Sequence, residues 1–483
     1  MFGNLFSKNP IIAREIHVYN TESGKLEVFE PHNATDVKMY SCGPTVYDYI
    51  HIGNLRAFLT ADITKRVLIR NGYLVSHTMN LTDFGHLTDD GDAGEDKMMK
   101  GLKREGLEIN LKSMRKFSST YIDAFQADLH ELRVIPPTTY ARASDYVKQQ
   151  IALVQTLEQK GFTYETSDGV YFDISKFPAY GTLGNINLDE LRSGARVEVN
   201  TEKKHPADFA VWKKGELGWP SRWGTGFPGW HMECSAMAMT TLGKQIDIHT
   251  GGEDLQYTHH NAEIAQCEAA TGKSFVKYWI HNAFVNIDGG SKISKSKGNA
   301  VNLRNVLDRG FSGDDYRYWL LTAHYRSQVT FSWEALSAAK QALFRLKRHM
   351  FEEYKQKPSL PSKEYLEKFD ERLAHDFDTP GAIAVLWEMV KDKDLSDSTK
   401  AGTLLAMDEV LDIGLSDEPA EGVRSLGVVA IDDIPDEIKA LIDAREIARI
   451  GRDYAEADMI REQLTTKGYS VEDSEHGPKV TKN

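Results

Sequence analysis

The period of the hydrophobic pattern changes along the chain. "VKMYSC" (37–42) is short and β-rich, and "GPTVYD" behind it supplies turn chemistry. From Asn54 onward, Leu55, Phe58, Leu59, Ile63 and Val67 fall near helical spacing, and Gly72 stands where a C-terminal cap belongs. "YLVSHTM" (73–79) then reads as the next strand. Strand, turn, helix and strand make a βαβ unit, which predicts a parallel sheet with a nucleotide-type crevice at its strand ends.

Residues 110–225 are less regular, mixing helical stretches such as "YVKQQIALVQTLEQKG" with strand-like ones such as "DGVYFDI", and they read as an insertion. A second α/β portion follows around "KQIDIHTGGEDLQYTHHNAEIAQCEAAT" and "FVKYWIHNAFVNIDGG". Beyond about residue 333, strand signals nearly vanish. "SWEALSAAKQALFRLKRHMFEEY", "AIAVLWEMVKDK" and "DEIKALIDAREIARIGRDYAEADMIREQL" are amphipathic helices, and "LSDEPAEGVRSLGVVAIDDIPDE" reads as a loop or hinge. No internal repeat is found. An α/β front half with a helical tail is the architecture expected.

Composition changes this picture little. The chain has 483 residues, enough for two to four domains, and is 41% hydrophobic and 27% charged. No window approaches the roughly 20 apolar residues of a membrane span, and the polar "MFGNLFSKNPIIAR" is unlike a signal peptide. Three cysteines argue against a disulfide framework and for a reducing cytoplasm. A net charge of −13 weighs weakly against nucleic acid, although a large chain can carry a local basic groove.

Candidate chemistry concentrates in two places. In "THHNAEIAQC" (258–267), His259, Glu263 and Cys267 recur every four residues, which stacks three possible metal ligands along one helical stripe. Thiolate with imidazole suits zinc, and carboxylate ligation is commoner where a metal does work than in purely structural sites. No CxxC pair is present, so the remaining sulfur donors are Cys42 and Cys234. Two stripe residues with those two cysteines already make four ligands, which leaves Cys267 to packing. The plainer alternative is buried cysteines acting as small hydrophobes and a packed histidine. Nearby His249, His260 and His281 are candidate orienting partners or polar lining.

The second place is "HIGN" (51–54) at the start of the first helix, where free N–H groups meet phosphates. Far downstream, "GGSKISKSKGN" (289–299) joins flexible glycines to Lys292, Lys295 and Lys297. Such a loop suits a leaving pyrophosphate, or is simply a solvated basic loop.

In this order the two motifs resemble the HIGH and KMSKS signatures of class I aminoacyl-tRNA synthetases. "MYSCGPTVYDYIHIGN", "GARVEV", "DFAVWK", "GFPGWHMECSAM", "HTGGEDLQYTHHNAEIAQ", "KISKSKGN" and "HYRSQVTFSWEAL" resemble the cysteinyl-tRNA synthetase family in sequence and order, from about residue 15 to about 475. The resemblance implies a class I Rossmann-type parallel-sheet catalytic domain with an inserted connective domain and an all-α C-terminal domain. It divides the chain into 1–115 and 226–300 for the catalytic halves, 116–225 for the insertion, 301–360 for a stem-contact region opening with the KISKS loop, and 361–483 for a helical anticodon-binding region. It further implies one Zn²⁺ per chain on Cys42, Cys234, His259 and Glu263, and a cysteine pocket lined by Thr82 and Trp230. ATP would contact Gly53, Gly252 and Asp254, with His51, Asn54, Lys292 and Lys295 acting on its phosphates and Mg²⁺ accompanying it. The implied partners are L-cysteine, ATP and the tRNA for cysteine, with no membrane; the enzyme is expected to be a cytoplasmic monomer.

The zinc has a reason in this reading. Free cysteine has a thiol pKa of about 8.5 and a metal deprotonates it outright, while serine offers a harder and far less acidic hydroxyl. Shape alone separates near-isosteres by only about 10–200-fold, so ligation removes the need for an editing domain.

Departures from the family pattern are Asn54 for the second histidine, Ile293 for methionine, the run "NLTDFGHLTDDGDAGEDKM", Cys267 where serine or threonine is expected, and a tail "SEHGPKVTKN" without tryptophan or arginine. The alternative is a sister ligase that joins cysteine to an amino sugar in thiol-cofactor synthesis. The long helical tail, which a small acceptor does not need, separates the two.

Overall fold

A computed structural model describes residues 14–84, 97–184, 186, 201–287, 291–292, 301–355, 357–427, 429, 434–474 and 477–482. The chain divides into two compact units, 1–336 with 368–384 and 337–367 with 385–483.

The first unit is built on a five-stranded parallel sheet ordered Val276–Asn282, Ile246–Gly252, Asp36–Ser41, Leu74–Leu81, Thr139–Arg142. Near-continuous apolar runs bury these strands: Val37, Met39, Ile246, Ile248, Trp279 and Ile280 are all inaccessible or nearly so, as a sheet covered on both faces requires. The chain leaves Asp36–Ser41 in one direction and later returns on its other side through Ile246–Gly252. Those two neighbours therefore flank the topological switch point, where open α/β sheets bind ligands beyond the carboxyl ends of their strands.

The expected first helix spans Ile52–Arg70. Its last cap is Asn71, and Gly72 follows at φ 91°, the left-handed turn a glycine takes at little cost. The helix is anchored by buried charge as well as apolar contact. Arg56 donates to four carbonyls, Ala283 (3.0 Å), Phe284 (3.1 Å), His324 (2.8 Å) and Ser327 (2.6 Å). Asp62 accepts from Arg66 Nε (2.9 Å), Arg317 Nη2 (2.7 Å) and the Ile135 amide (2.8 Å).

A four-stranded antiparallel sheet, ordered Thr163–Glu165, Gly169–Phe172, Phe209–Trp219, Gly226–Pro228, lies between the two portions of the parallel sheet in sequence. Its core of Val170, Phe172, Val211 and Trp212 is continuous with Met232 and Ala236 of helix Trp230–Thr241 and with Ala262, Ala265 and Ala269 of helix His259–Thr271. The small alanines spend one face of each helix on packing and leave the other to the site.

The second unit is helical, as the loss of strand signals beyond residue 333 predicts, with two differences. The stretch read as a loop or hinge contains helix Pro419–Ser425, started by proline at its first position. The tail ends in strands Tyr469–Ser474 and Gly477–Lys482, an antiparallel pair. Tyr469, Val471 and Val480 are buried with Ile438, Ile442, Ile460 and Leu464, so a two-residue alternation closes one face of the last two helices. The long pattern over 436–464 is two helices, Asp436–Ile450 and Tyr454–Thr466, broken where Arg452 takes φ 61°. Among the described residues no helix is long and apolar enough to cross a membrane.

Candidate metal and amino-acid site

The site segments leave the carboxyl edge of the parallel sheet. Cys42 follows Asp36–Ser41 directly and its amide bonds the Thr250 carbonyl of the adjacent strand at 3.1 Å. Gly43 must be a glycine, because a Cβ there would lie 1.8 Å from the Asn80 carbonyl oxygen. Gly251 is similarly confined: a Cβ would stand 2.8 Å from the His260 ring. These two close approaches bring the strand ends and the His259 helix together.

Four side chains from three segments converge there. The ligand atoms of Cys42, Cys234, His259 and Glu263 all lie within 4.8 Å of one another. His259 Nε2 is 3.4 Å from Cys234 Sγ and 3.1 Å from Glu263 Oε1, and the Cys42 thiol donates to Glu263 Oε1 at 3.9 Å. A second set meets the same condition, Cys42 and Glu263 with His249 and His260. Cys267, fully buried, belongs to neither set.

The electrostatics favour a cation. Burial pushes the Cys42 thiol well up, with neighbouring Cys234 and Glu263 adding to it. For Cys234 burial also raises the value, but the Cys42 hydrogen bond and His259 outweigh it and bring the thiol to about 6. Burial opposes a charged His259, yet Cys234 and Glu263 hold its imidazolium up to about 10. Glu263 is held at about 2, burial being overcome by His249 and His259. A proton on His259 thus stands among two sulfurs and a carboxylate, where a divalent cation would compensate the same charges. Two sulfurs, one imidazole nitrogen and one carboxylate oxygen, three of the residues buried and Cys42 half-buried, are a donor set that fits zinc.

Outer partners fix these groups. Glu263 Oε2 meets His249 Nε2 at 3.0 Å. His259 Nδ1 meets His231 Nδ1 at 2.8 Å, and His260 Nδ1 meets His281 Nε2 at 2.7 Å. Burial, then the surrounding histidines, drives His260 well below the usual imidazole range, and His281 falls to about 3 for the same reasons. His249 thus bonds Glu263 and His281 bonds His260, while His249 and His260 also belong to the second converging set.

Trp230 opens its helix with its ring 4.4 Å from the His259 ring. Thr82 follows strand Leu74–Leu81, is buried, and donates to Glu233 Oε2 at 2.7 Å. Burial raises the Glu233 carboxyl well above the usual range, and its Oε1 has no hydrogen-bond partner among the described residues. Sequence reasoning missed His231 and Glu233. The signal was present in "WHMEC", where both precede Cys234 within one helical turn.

The nucleotide candidates lie at the same sheet edge. His51 is the N-cap of Ile52–Arg70, its Nδ1 accepting from the Asn54 amide at 3.3 Å, with Gly53 half-buried and Asn54 exposed. Gly252 ends strand Ile246–Gly252, and exposed Asp254 opens the turn Leu255–Tyr257. Lys292 sits in strand Ser291–Lys292, its side chain outside the described set; Lys295, Lys297, Ile293 and residues 85–96 lie outside the described residues.

A family model for "tRNA synthetases class I (C) catalytic domain" matches residues 28–341, and one for "Cysteinyl-tRNA ligase anticodon binding domain" matches 432–478. A cysteine--tRNA ligase 1 from Burkholderia lata is 42% identical over 469 residues, 96% of each chain. This chain belongs to the cysteine--tRNA ligase family. A family member from Treponema denticola is 40% identical over 488 residues, 95% of this chain and 98% of that one. Mycobacterium tuberculosis methionyl-tRNA synthetase in complex with methionyl-adenylate shares the fold at TM-score 0.56 and 14% identity, covering 83% of this chain and 95% of that chain. The class I α/β fold expected from the sequence is borne out. The matches favour a tRNA ligase over the amino-sugar ligase.

Proposed function

We propose that this chain ligates L-cysteine to its tRNA at the expense of ATP, through a cysteinyl-adenylate, with Zn²⁺ selecting the amino acid. The observation that carries this reading is the convergence of Cys42, Cys234, His259 and Glu263 at the switch point of a class I sheet. The family relationship supports the acceptor and the amino acid.

Cys42, Cys234, His259 and Glu263 would hold the metal. Bound there, it supplies a soft Lewis acid that takes a substrate thiol in its deprotonated form, which a serine hydroxyl does not match. Trp230, packed on His259, and Thr82 line the space that the rest of the amino acid enters. The cysteine carboxylate attacks the α-phosphorus of ATP, a new C(O)O–P bond forms, and pyrophosphate leaves with the electron pair of the broken bond. A hydroxyl of the terminal adenosine of the tRNA then attacks the mixed-anhydride carbonyl and releases AMP. His51, Gly53 and Asn54 at a helix N-terminus stabilise charge on the phosphates, joined by Lys292 and Lys295, while Gly252 and Asp254 take the adenosine; Mg²⁺ accompanies the nucleotide. The chain's contribution is positioning and charge stabilisation, with no covalent enzyme intermediate.

In the C-terminal region, Ile447, Ile450, Tyr454 and Met459 are exposed, and close to them in sequence stand Arg449, ion-paired with Glu446 and Asp473, and Arg461, ion-paired with Asp458. An exposed aromatic ring with neighbouring guanidinium groups suits stacking of unpaired anticodon bases.

The test is incorporation of labelled cysteine into total tRNA with ATP and Mg²⁺, against serine. Cysteine-specific charging is expected. Cysteine-dependent pyrophosphate exchange without charging would overturn the tRNA acceptor, and equal use of serine would overturn selection by the metal.

A further inference from the structure

Between the segments that carry Cys42 and Cys234 runs a chain of hydrogen bonds in which every donor points the same way. The Gly43 amide donates to Asn80 Oδ1 at 2.6 Å. That bond turns the amide of Asn80 so that its Nδ2 donates to Thr82 Oγ1 at 3.2 Å. Thr82 then donates its hydroxyl to Glu233 Oε2 at 2.7 Å. Asn80, Thr82 and Glu233 are all buried, at 3%, 1% and 0% exposure, so water does not compete for these bonds.

A threonine hydroxyl has one proton and two lone pairs. Even with its carboxyl raised by burial, Glu233 keeps a carbonyl oxygen that accepts, so with Oε2 taking the hydroxyl proton and one lone pair given to Asn80, what Thr82 has left is an acceptor. The group on cysteine that needs an acceptor is its α-ammonium; its carboxylate needs donors. Remove Glu233 and the hydroxyl rotates freely, able to present its proton to the ammonium, the wrong polarity.

We propose that Glu233 is a positioning residue for the amino acid: by accepting the Thr82 hydroxyl proton it makes Thr82 an acceptor for the substrate α-ammonium group. The inference rests on the reading of Thr82 as part of the cysteine pocket. It adds a polarity to that pocket which the pocket's residue types do not specify.

The test compares cysteine with 3-sulfanylpropanoate, which keeps the thiol and carboxylate but lacks the amine, in cysteine-dependent ATP–pyrophosphate exchange by the full chain. Glu233→Leu and Thr82→Val should each raise KM for cysteine about tenfold or more, the worth of one hydrogen bond to a charged group. KM for ATP and zinc content should stay near wild type. The inhibition constant of the deaminated analogue should barely move, so the preference for the amine collapses. Glu233→Gln, whose amide oxygen still accepts, should recover most of the affinity lost in Glu233→Leu.

Equal weakening of cysteine and the analogue means a merely structural role and overturns the proposal, as does wild-type KM in Glu233→Leu. In both cases the wild-type enzyme still activates cysteine, so the proposed function stands. A wild-type chain that does not activate cysteine at all would overturn that function and this inference with it.

Discussion

His231→Phe should weaken zinc binding without removing a ligand. His259 turns Nε2 toward Cys234 and Glu263, at 3.4 and 3.1 Å, so Nε2 is the nitrogen that would hold the metal. To offer a lone pair there, the neutral ring must carry its proton on Nδ1, and that proton meets His231 Nδ1 at 2.8 Å. His231 must therefore be bare at Nδ1 and protonated at Nε2. Phenylalanine keeps an aromatic ring against Phe209 and Trp230, whose centroids lie 5.5 and 5.1 Å away, but offers no acceptor. A buried N–H left without a partner costs about 1–3 kcal/mol, or about 5–150-fold in an equilibrium constant. Loss of a partner that orients a ligand typically costs about 10–100-fold in metal affinity, which falls inside the same range. The assay is competition for zinc against a chromophoric chelator at fixed near-neutral pH, with metal content by mass spectrometry. Cys234→Ser, which removes a proposed ligand outright, sets the scale and should lose both zinc and cysteine affinity while keeping ATP binding. If His231→Phe binds zinc as tightly as wild type while His260→Phe abolishes binding, the metal belongs to the other set, Cys42, His249, His260 and Glu263, and the reasoning is refuted.

Cys267→Ser should retain stoichiometric zinc, because Cys267 lies in neither converging set; metal loss in that variant would reassign a ligand. Asp62→Asn should destabilise the protein by about 3–5 kcal/mol in urea unfolding, since it leaves the fully buried Arg317 without its carboxylate; a loss under about 1 kcal/mol would contradict that. Stability should also fall in acid through His77. Burial, then the Lys65 charge, holds its pKa down at about 3 against 6.5 for the ordinary group. The unfolded chain binds an extra proton between those values, so stability is lost as pH drops from 6.5 toward 3. His77→Gln should flatten that limb, and an unchanged slope would remove His77 as its source.

The βαβ unit was legible because its signals are local. Apolar spacing from Leu55 to Val67 and the glycine at 72 need no knowledge of distant residues, and helix Ile52–Arg70 follows from them. The His259–Glu263 pair was legible for the same reason, being one turn of one helix. The terminal hairpin escaped notice because Tyr469, Val471 and Val480 are few and flanked by charge; what makes them strands is the apolar face of the two preceding helices that they cover. Helix Pro419–Ser425 was hidden by its acidic, proline-containing surroundings, although proline at a first helical position costs little.

The sequence by itself therefore determined the α/β class, the family and the residue types able to hold a soft metal. Tertiary structure decided which of them meet. Two strands of the parallel sheet and the whole antiparallel sheet lie between Cys42 and Cys234 in sequence, and no periodicity relates them; what brings them together is the packing of helix Trp230–Thr241 on helix His259–Thr271 and the close approach of Gly251 to the His260 ring. The same holds for polarity. Hydrogen-bond direction along Gly43, Asn80, Thr82 and Glu233 depends on distances of 2.6 to 3.2 Å between three segments. Side-chain identity lists donors and acceptors, but only their juxtaposition in a dry interior fixes which proton goes where.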